Sequence, residues 1–348
     1  MKRLFGAIAA AGIGLFLAGM ASSSGAAEKL LYCADWTLYG KHTPYIVARD
    51  KGFFKAEGID ITIQRGHGSG DTTKRIGIKD CPYGMASIGP QVIGMNKGFK
   101  IKVIGILEHK FQETNYFFKE SGIKTPKDLE GKRLTGGPKS SSDYTMFPVF
   151  AKANGIDLSK ITWVFMPPAS KPGALGAGQV DVVVDYDTRK PSFLNVAKQA
   201  GKELQWMLWA DQGIDLYSAA LVTHQDNLAG ADSDRTRRLV KAVYRGVVYT
   251  MVNRDDAINT FLKSFPEHNR QVVKDILQIW AEHLFDGLSE KEGIGHTNLA
   301  KMANTIKITL ESINEPVKIK APDTFTNQYV DAMPREIRFA RPPKANKM

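Results

Sequence analysis

The chain has 348 residues, 43% hydrophobic and 24% charged, which excludes a disordered polymer and leaves room for two domains of ordinary size. Its 47 Lys and Arg against 36 Asp and Glu give a net charge of +11, a field that favours anionic surfaces or ligands without specifying either. No dense Lys/Arg block with interleaved aromatics occurs, so nucleic acid is not expected as a partner.

The chain begins with a basic head, Met1-Lys2-Arg3. Leu4–Met20 follows without charge, and then the small residues of 21–27. These are the three parts of a cleavable secretory signal peptide, expected over 1–27 with the cut near Ala27. Leu4–Met20 is short for a membrane span, which needs about 20 apolar residues. Cys33 follows Tyr32 rather than a small residue, which argues against a lipoprotein. The expected product is periplasmic. An oxidising compartment permits Cys33 and Cys81 to pair, but a disulfide and two buried thiols both stay open at this point.

Strands are predicted at 30–34, 59–64, 83–88 and 102–107, with helices between them at 42–55, 71–78 and 91–97. This alternation points to a parallel α/β sheet. The pattern restarts with strands at 133–136, 161–165 and 180–184 and helices at 143–154 and 170–176. Strands at 203–209 and 218–223 read as returning ones. From Asp234 onward the spacing is helical, at 235–254, 255–263, 270–284 and 297–313, then a weak helix near 325–333 and a Pro/Lys-rich tail.

Two strand–loop–helix junctions carry small residues and hydroxyls. One is Arg65-Gly-His-Gly-Ser69-Gly70-Asp71-Thr72, the other Gly136-Gly-Pro-Lys-Ser140-Ser141-Ser142-Asp143. Free backbone N–H groups at a helix start suit polar or anionic groups, though an ordinary capped turn explains either loop alone. Neither fits a phosphate loop, since Gly70 is followed by Asp71, and neither is a nucleophile elbow. The first strand ends in Asp35-Trp36-Thr37-Leu38-Tyr39, with His42 close behind. Trp36 and Tyr39 suit a flat ligand, with core filling as the plainer alternative. The Val-rich strand at 180–184 leads into Asp185-Tyr186-Asp187, acceptors for ligand N–H groups. The His residues are scattered and no metal or catalytic motif appears, so no cofactor, metal or catalytic residue is expected.

Asp35-Trp-Thr with His42-Thr, Ala48-x-x-x-Gly52-Phe-Phe-x-x-x-Gly58-Ile-Asp-Ile, Asp128-Leu-x-Gly131-Lys-Arg and Ala174-x-x-Ala177-Gly178-Gln-Val-Asp181 resemble one family. It is the thiamine-precursor (NMT1) group of solute-binding proteins, related to the nitrate, taurine and alkanesulfonate binding proteins of ABC importers. The resemblance implies a type II periplasmic binding fold, two doubly wound α/β lobes joined by two crossovers. These are expected near Tyr116–Glu120 and Leu221–Gln225. Lobe 1 would then be 28–117 with 224–330, lobe 2 118–223, and 331–348 a tail. It implies a monomeric, non-catalytic importer component that hands a small molecule to membrane permease subunits served by a cytoplasmic ATPase. The ligand expected is heteroaromatic and pyrimidine-like, with a sulfonate, nitrate or other small anion as the alternative. A pyrimidine-synthase-like enzyme is the remote reading, because the Cys-rich run of those enzymes is missing. The expected ligand-binding residues are Asp35, Trp36, Tyr39, His42, Ser69, Gly70, Thr72, Ser87, Ser140, Ser141, Tyr186 and Asp187. Trp36, Tyr39 and Tyr186 would sandwich the ring, and Asp35, Asp185 or Asp187 would accept its N–H groups.

Overall fold

A computed structural model of the chain describes residues 27–341. The expected signal peptide, but for Ala27, and the end of the expected tail lie outside the described residues. Ten strands form two sheets of five. They are β1 (Glu28–Cys33), β2 (Ile59–Gln64), β3 (Tyr83–Ser87), β4 (Ile101–Glu108), β5 (Glu113–Phe118), β6 (Arg133–Thr135), β7 (Thr162–Trp163), β8 (Val182–Tyr186), β9 (Leu204–Leu208) and β10 (Ala219–His224). The first sheet has the order β2-β1-β3-β10-β4 and the second β7-β6-β8-β5-β9. Central strands such as β3 and β8 are buried along their whole length, as helices on both faces require. Edge strand β2 instead buries Ile59 and Ile61 and exposes Asp60.

The expected parallel sheets are mixed. In each, one strand runs against its neighbours, β10 between β3 and β4, and β5 between β8 and β9. These are the two strands that arrive directly from the other lobe. A strand entering without a crossover helix pairs antiparallel. The chain therefore passes from lobe 1 to lobe 2 at 109–112, between β4 and β5. It returns at 213–218, ahead of β10. Both passages precede the segments expected to hold them. Tyr116–Phe118 lies inside β5 and Leu221–His224 inside β10, because an apolar strand does not show in its own pattern which sheet will accept it.

The core of lobe 1 is built from β1–β4 and the long C-terminal helices, with Leu239, Val243, Phe261, Leu277 and Trp280 all buried. In lobe 2, Phe147, Phe150 and Trp209 fill one face of the sheet, and Tyr116 stacked on Phe193 at 4.5 Å fills the other. Helix Arg270–His283 starts on the Asn269 side chain, which accepts from the Gln271 and Val272 N–H groups. It belongs to lobe 1 but also contacts the turn Asp187–Arg189 and helix Lys190–Ala200 of lobe 2.

Cys33 and Cys81 are disulfide-bonded, with Cα atoms 6.5 Å apart, tying the end of β1 to the loop before β3. The cross-link closes a loop with a sequence separation of 48. Loop-closure entropy puts its contribution near 4 kcal/mol, and native disulfides usually deliver about 2–5 kcal/mol. Urea unfolding of the Cys33→Ala/Cys81→Ala protein is expected to show a loss in that range. A loss under about 1 kcal/mol would mean that β1 and β3 are held without the bridge.

Candidate ligand-binding cleft

The carboxyl ends of β1, β3, β6 and β8 face one another across the boundary between the lobes, where open α/β sheets present their loops to ligands. Side chains from both lobes meet there and almost all are buried.

Tyr186, at the end of β8, crosses the boundary. Its hydroxyl lies 2.6 Å from the Ser87 hydroxyl of lobe 1, 2.8 Å from Ser142 of lobe 2 and 3.5 Å from Ser69. Ser69 in turn accepts from the Ser87 backbone N–H. Lys41 stands 4.2 Å from the centre of the Tyr186 ring. Tyr39 reaches the other way, its hydroxyl 2.8 Å from Thr188, with the Arg189 guanidinium 4.8 Å above its ring. Trp36 also reaches lobe 2. Its ring stands 5.3 Å from the Lys171 ammonium and against Gly137, where a Cβ would come within 3.1 Å of it. Gly137 also has φ +84°, which an L side chain rarely adopts, so this approach depends on glycine. The three aromatic residues expected to sandwich a ring thus all reach the cleft. Each has a face covered by a cation, and they do not stack on one another.

The acids show which expected acceptors are already engaged. Asp35 accepts from Lys41 at 2.7 Å and from His42 Nε2 at 2.9 Å. Burial opposes its charge, but these two partners hold its carboxyl well below the usual range. His42 Nδ1 accepts from the Tyr39 N–H, so the proton on Nε2 is the one given to Asp35. Burial keeps His42 below its ordinary value, as a neutral orienting group. Burial also works against Lys41, yet Asp35 and Glu108 hold it well above the lysine range. Asp185 bonds Lys171 at 2.9 Å and its neighbour's backbone N–H. Asp187 bonds His283 at 3.2 Å and Lys190 at 2.8 Å, which joins helix Arg270–His283 to lobe 2. Asp35, Asp185 and Asp187 are therefore each occupied by a cation or histidine of the protein.

Several expected hydroxyls are occupied too. Thr72 donates to the Ala34 carbonyl at 2.8 Å, securing the end of β1. Ser141 donates to the Gly136 carbonyl and caps the helix turn at Ser142–Thr145. Ser140 donates to the His67 carbonyl at 2.9 Å, and its own carbonyl accepts from the Gly70 N–H at 2.9 Å. This pair joins the two Gly/Ser loops to each other. Gly68, at φ +124°, leaves no room there for a Cβ, which would fall 2.7 Å from the Ser140 carbonyl oxygen.

Several cleft residues went unread in the sequence, among them Lys171, Asp143, Glu108 and Glu113. Lys171 and Asp143 bond at 2.8 Å, and the same ammonium serves Asp185. With one lysine between two carboxylates, burial pushes the Asp143 carboxyl up despite Lys171. Glu108, at the end of β4, has only an amide donor, Gln112, at hydrogen-bond distance among the described residues. Glu113 opens β5 with both carboxyl oxygens buried and without a hydrogen-bond partner among the described residues. Burial, then the Asp143 charge, pushes it up to about 8. The run Glu108-His-Lys-Phe-Gln-Glu113-Thr-Asn115 is mostly polar and reads as a surface loop, yet all but Lys110 is buried. Its polarity at the junction of two apolar strands was the one available signal.

Among the described residues no group of three or more His, Cys, Asp or Glu is placed to hold a metal ion, and no helix is long and apolar enough to cross a membrane.

Comparison with known proteins bears on this geometry. The family described as NMT1/THI5 like matches residues 40–257. The riboflavin-binding protein RibY of Chloroflexus aurantiacus is 23% identical over 301 residues, covering 82% of this chain and 82% of that protein. The formylaminopyrimidine-binding protein of Halalkalibacterium halodurans is 21% identical over 271 residues, covering 75% and 79%. A pyrimidine phosphate synthase of Uromyces fabae matches over only 31% of this chain and 32% of its own length. Among solved structures, the alkanesulfonate-binding protein SsuA of Xanthomonas axonopodis pv. citri, bound to MOPS, superposes with a TM-score of 0.65 at 14% identity, covering 86% of this chain and 98% of that one. The likeness is one of fold, the type II periplasmic binding protein fold expected from the sequence.

Proposed function

The chain belongs to the NMT1/THI5-like family, and on that premise we propose that it is the periplasmic solute-binding protein of an ABC importer, holding a small heteroaromatic, pyrimidine-like compound between its lobes. The observation that carries this reading is the cleft, where Tyr186, Trp36 and Tyr39 each bridge the two lobes. A ligand seated among them would contact both lobes at once and favour their closure, and the importer's membrane subunits would receive that closed form. The relatives matched over most of their length are named as binding proteins, and the synthase matches over about a third of its length. That favours capture without turnover. The anion reading draws on Lys41 and Lys171, but both ammonium groups already face carboxylates at 2.9 Å or less. A bare anion would have to compete with Asp35, Asp143 and Asp185 for them.

The test is a thermal-shift panel on the processed protein, purified from the periplasm of an expression host and refolded from denaturant to strip carried-over ligand. A compound that binds only the folded state raises the melting temperature by mass action. Pyrimidines and related heteroaromatic amines are expected to raise it. A shift with nitrate or alkanesulfonates alone would overturn the reading. Chemical change of a bound compound during incubation would replace capture with catalysis.

A further inference from the structure

Counting partners among the cleft acids leaves two over. Asp35 has Lys41, Asp143 and Asp185 share Lys171, and Asp187 has Lys190. Neither Glu108 nor Glu113 is ion-paired among the described residues, Lys41 serving Asp35, and neither Glu113 oxygen makes a hydrogen bond, although the Ser142 hydroxyl lies near. A carboxyl group placed in a protein interior without a partner is costly and calls for an explanation. The same face of β5 carries a second such group. Asn115, two residues on, is fully buried, and neither its amide oxygen nor its nitrogen has a partner. The strand's alternation puts Glu113 and Asn115 on one face, and the pairing of Glu113 with Tyr186 sets that face beside the Tyr186 hydroxyl cluster. The unmet carboxyl of Glu113 therefore borders the cleft on its hinge side, immediately after the passage at 109–112, and Asn115 lies one step deeper on the same face, beside Val184 and Met207.

We infer that Glu113, with Asn115 beside it, is the specificity-determining group of the cleft and receives the N–H edge of an aminopyrimidine or amidine. Ionised on binding such a ligand, Glu113 offers two acceptors, and Asn115 one acceptor and a donor. Together they complement a ring nitrogen flanked by an amino group. Glu108 adds a further carboxyl beside them. A ligand bringing N–H groups or positive charge is welcomed there, and a bare anion is repelled. This inference rests on the proposed function and specifies its ligand class.

The experiment titrates 4-aminopyrimidine, 4-methylpyrimidine and methanesulfonate into the refolded wild-type protein and into Glu113→Gln. One charge-assisted hydrogen bond corresponds to about a 10- to 150-fold change in affinity. In wild type, 4-aminopyrimidine is expected to bind at least about 10-fold more tightly than 4-methylpyrimidine. Glu113→Gln should remove that preference and leave the weak 4-methylpyrimidine binding within about 2-fold, while melting no lower than wild type at pH 8. Weaker binding in a protein that is no less stable separates a recognition role from a structural one. If Glu113→Gln binds 4-aminopyrimidine as wild type does, or if wild type binds both rings equally, the inference fails while the heteroaromatic reading stands. Binding of methanesulfonate alone overturns both.

Discussion

Replacing Lys171 by Met is expected to destabilise the protein by about 3–5 kcal/mol at pH 8, the usual consequence of removing one member of a buried ion pair. The side chain is fully buried and serves two carboxylates, Asp143 at 2.8 Å and Asp185 at 2.9 Å. Methionine fills a similar volume, so the loss measures uncompensated charge rather than a cavity. Its pH dependence identifies the cause. Without Lys171 the Asp143 carboxyl, which burial already raises, loses its cation, so it contributes a penalty that grows from about pH 4 up to the raised value and vanishes below about pH 4. Urea unfolding at pH 5 and pH 8 should therefore show the smaller loss at pH 5. An equal loss at both, or one under about 1 kcal/mol at pH 8, would mean that the carboxylates are stabilised by something other than this lysine.

The second large effect has the opposite sign. Glu113→Gln is expected to stabilise the ligand-free protein at pH 8, by on the order of 3 kcal/mol. Burial and the Asp143 charge push the Glu113 carboxyl from an ordinary 4.5 up to about 8. Between those values the folded state holds a proton that the unfolded state has released. Wild-type stability therefore falls as pH rises from about 4.5 through about 8, and the glutamine variant lacks that decline. The groups facing Glu113 include Asp143 and Ser142 from the helix turn and Glu108 from β4, and none of them brings positive charge. Melting curves at pH 5 and pH 8 decide it: the two proteins should nearly coincide at pH 5 and separate at pH 8. A variant less stable than wild type at pH 8 would mean that Glu113 has a stabilising partner. The gain expected from removing it fits a residue retained for its ligand at a cost to stability.

Much of the fold was legible because its signals are local. The apolar runs of β1 to β4 and the helical spacing after Asp234 announce their elements, and β2 falls at the expected residues. Tyr186, Ser69 and Ser87 were read as cleft residues, and the structure gathers all three around one hydroxyl. The passages between lobes were misplaced because strand pairing is decided between segments far apart in sequence. Strand β5 was missed because Glu113-Thr-Asn115 lacks the apolar alternation of a strand. That departure is also what marks it as functional, since buried polar groups in a strand need a reason beyond packing. The ion-pair assignments could not be read at all. Whether Asp35 or Glu108 keeps a free carboxyl depends on where Lys41 ends, and Lys41 lies six residues from Asp35 across a turn. Helix Lys190–Ala200 also passed unnoticed, because Lys190-Pro191 looks like a loop although proline is well placed in a helix's first turn.

The most direct test of the account is a crystal structure of the protein with the heteroaromatic amine that gives the largest thermal shift. The ring should lie between the lobes, in contact with Tyr186, with its amino group within hydrogen-bond distance of Glu113. A compound that stabilises the protein but sits on an outer face, with the cleft side chains still paired as they are here, would contradict it.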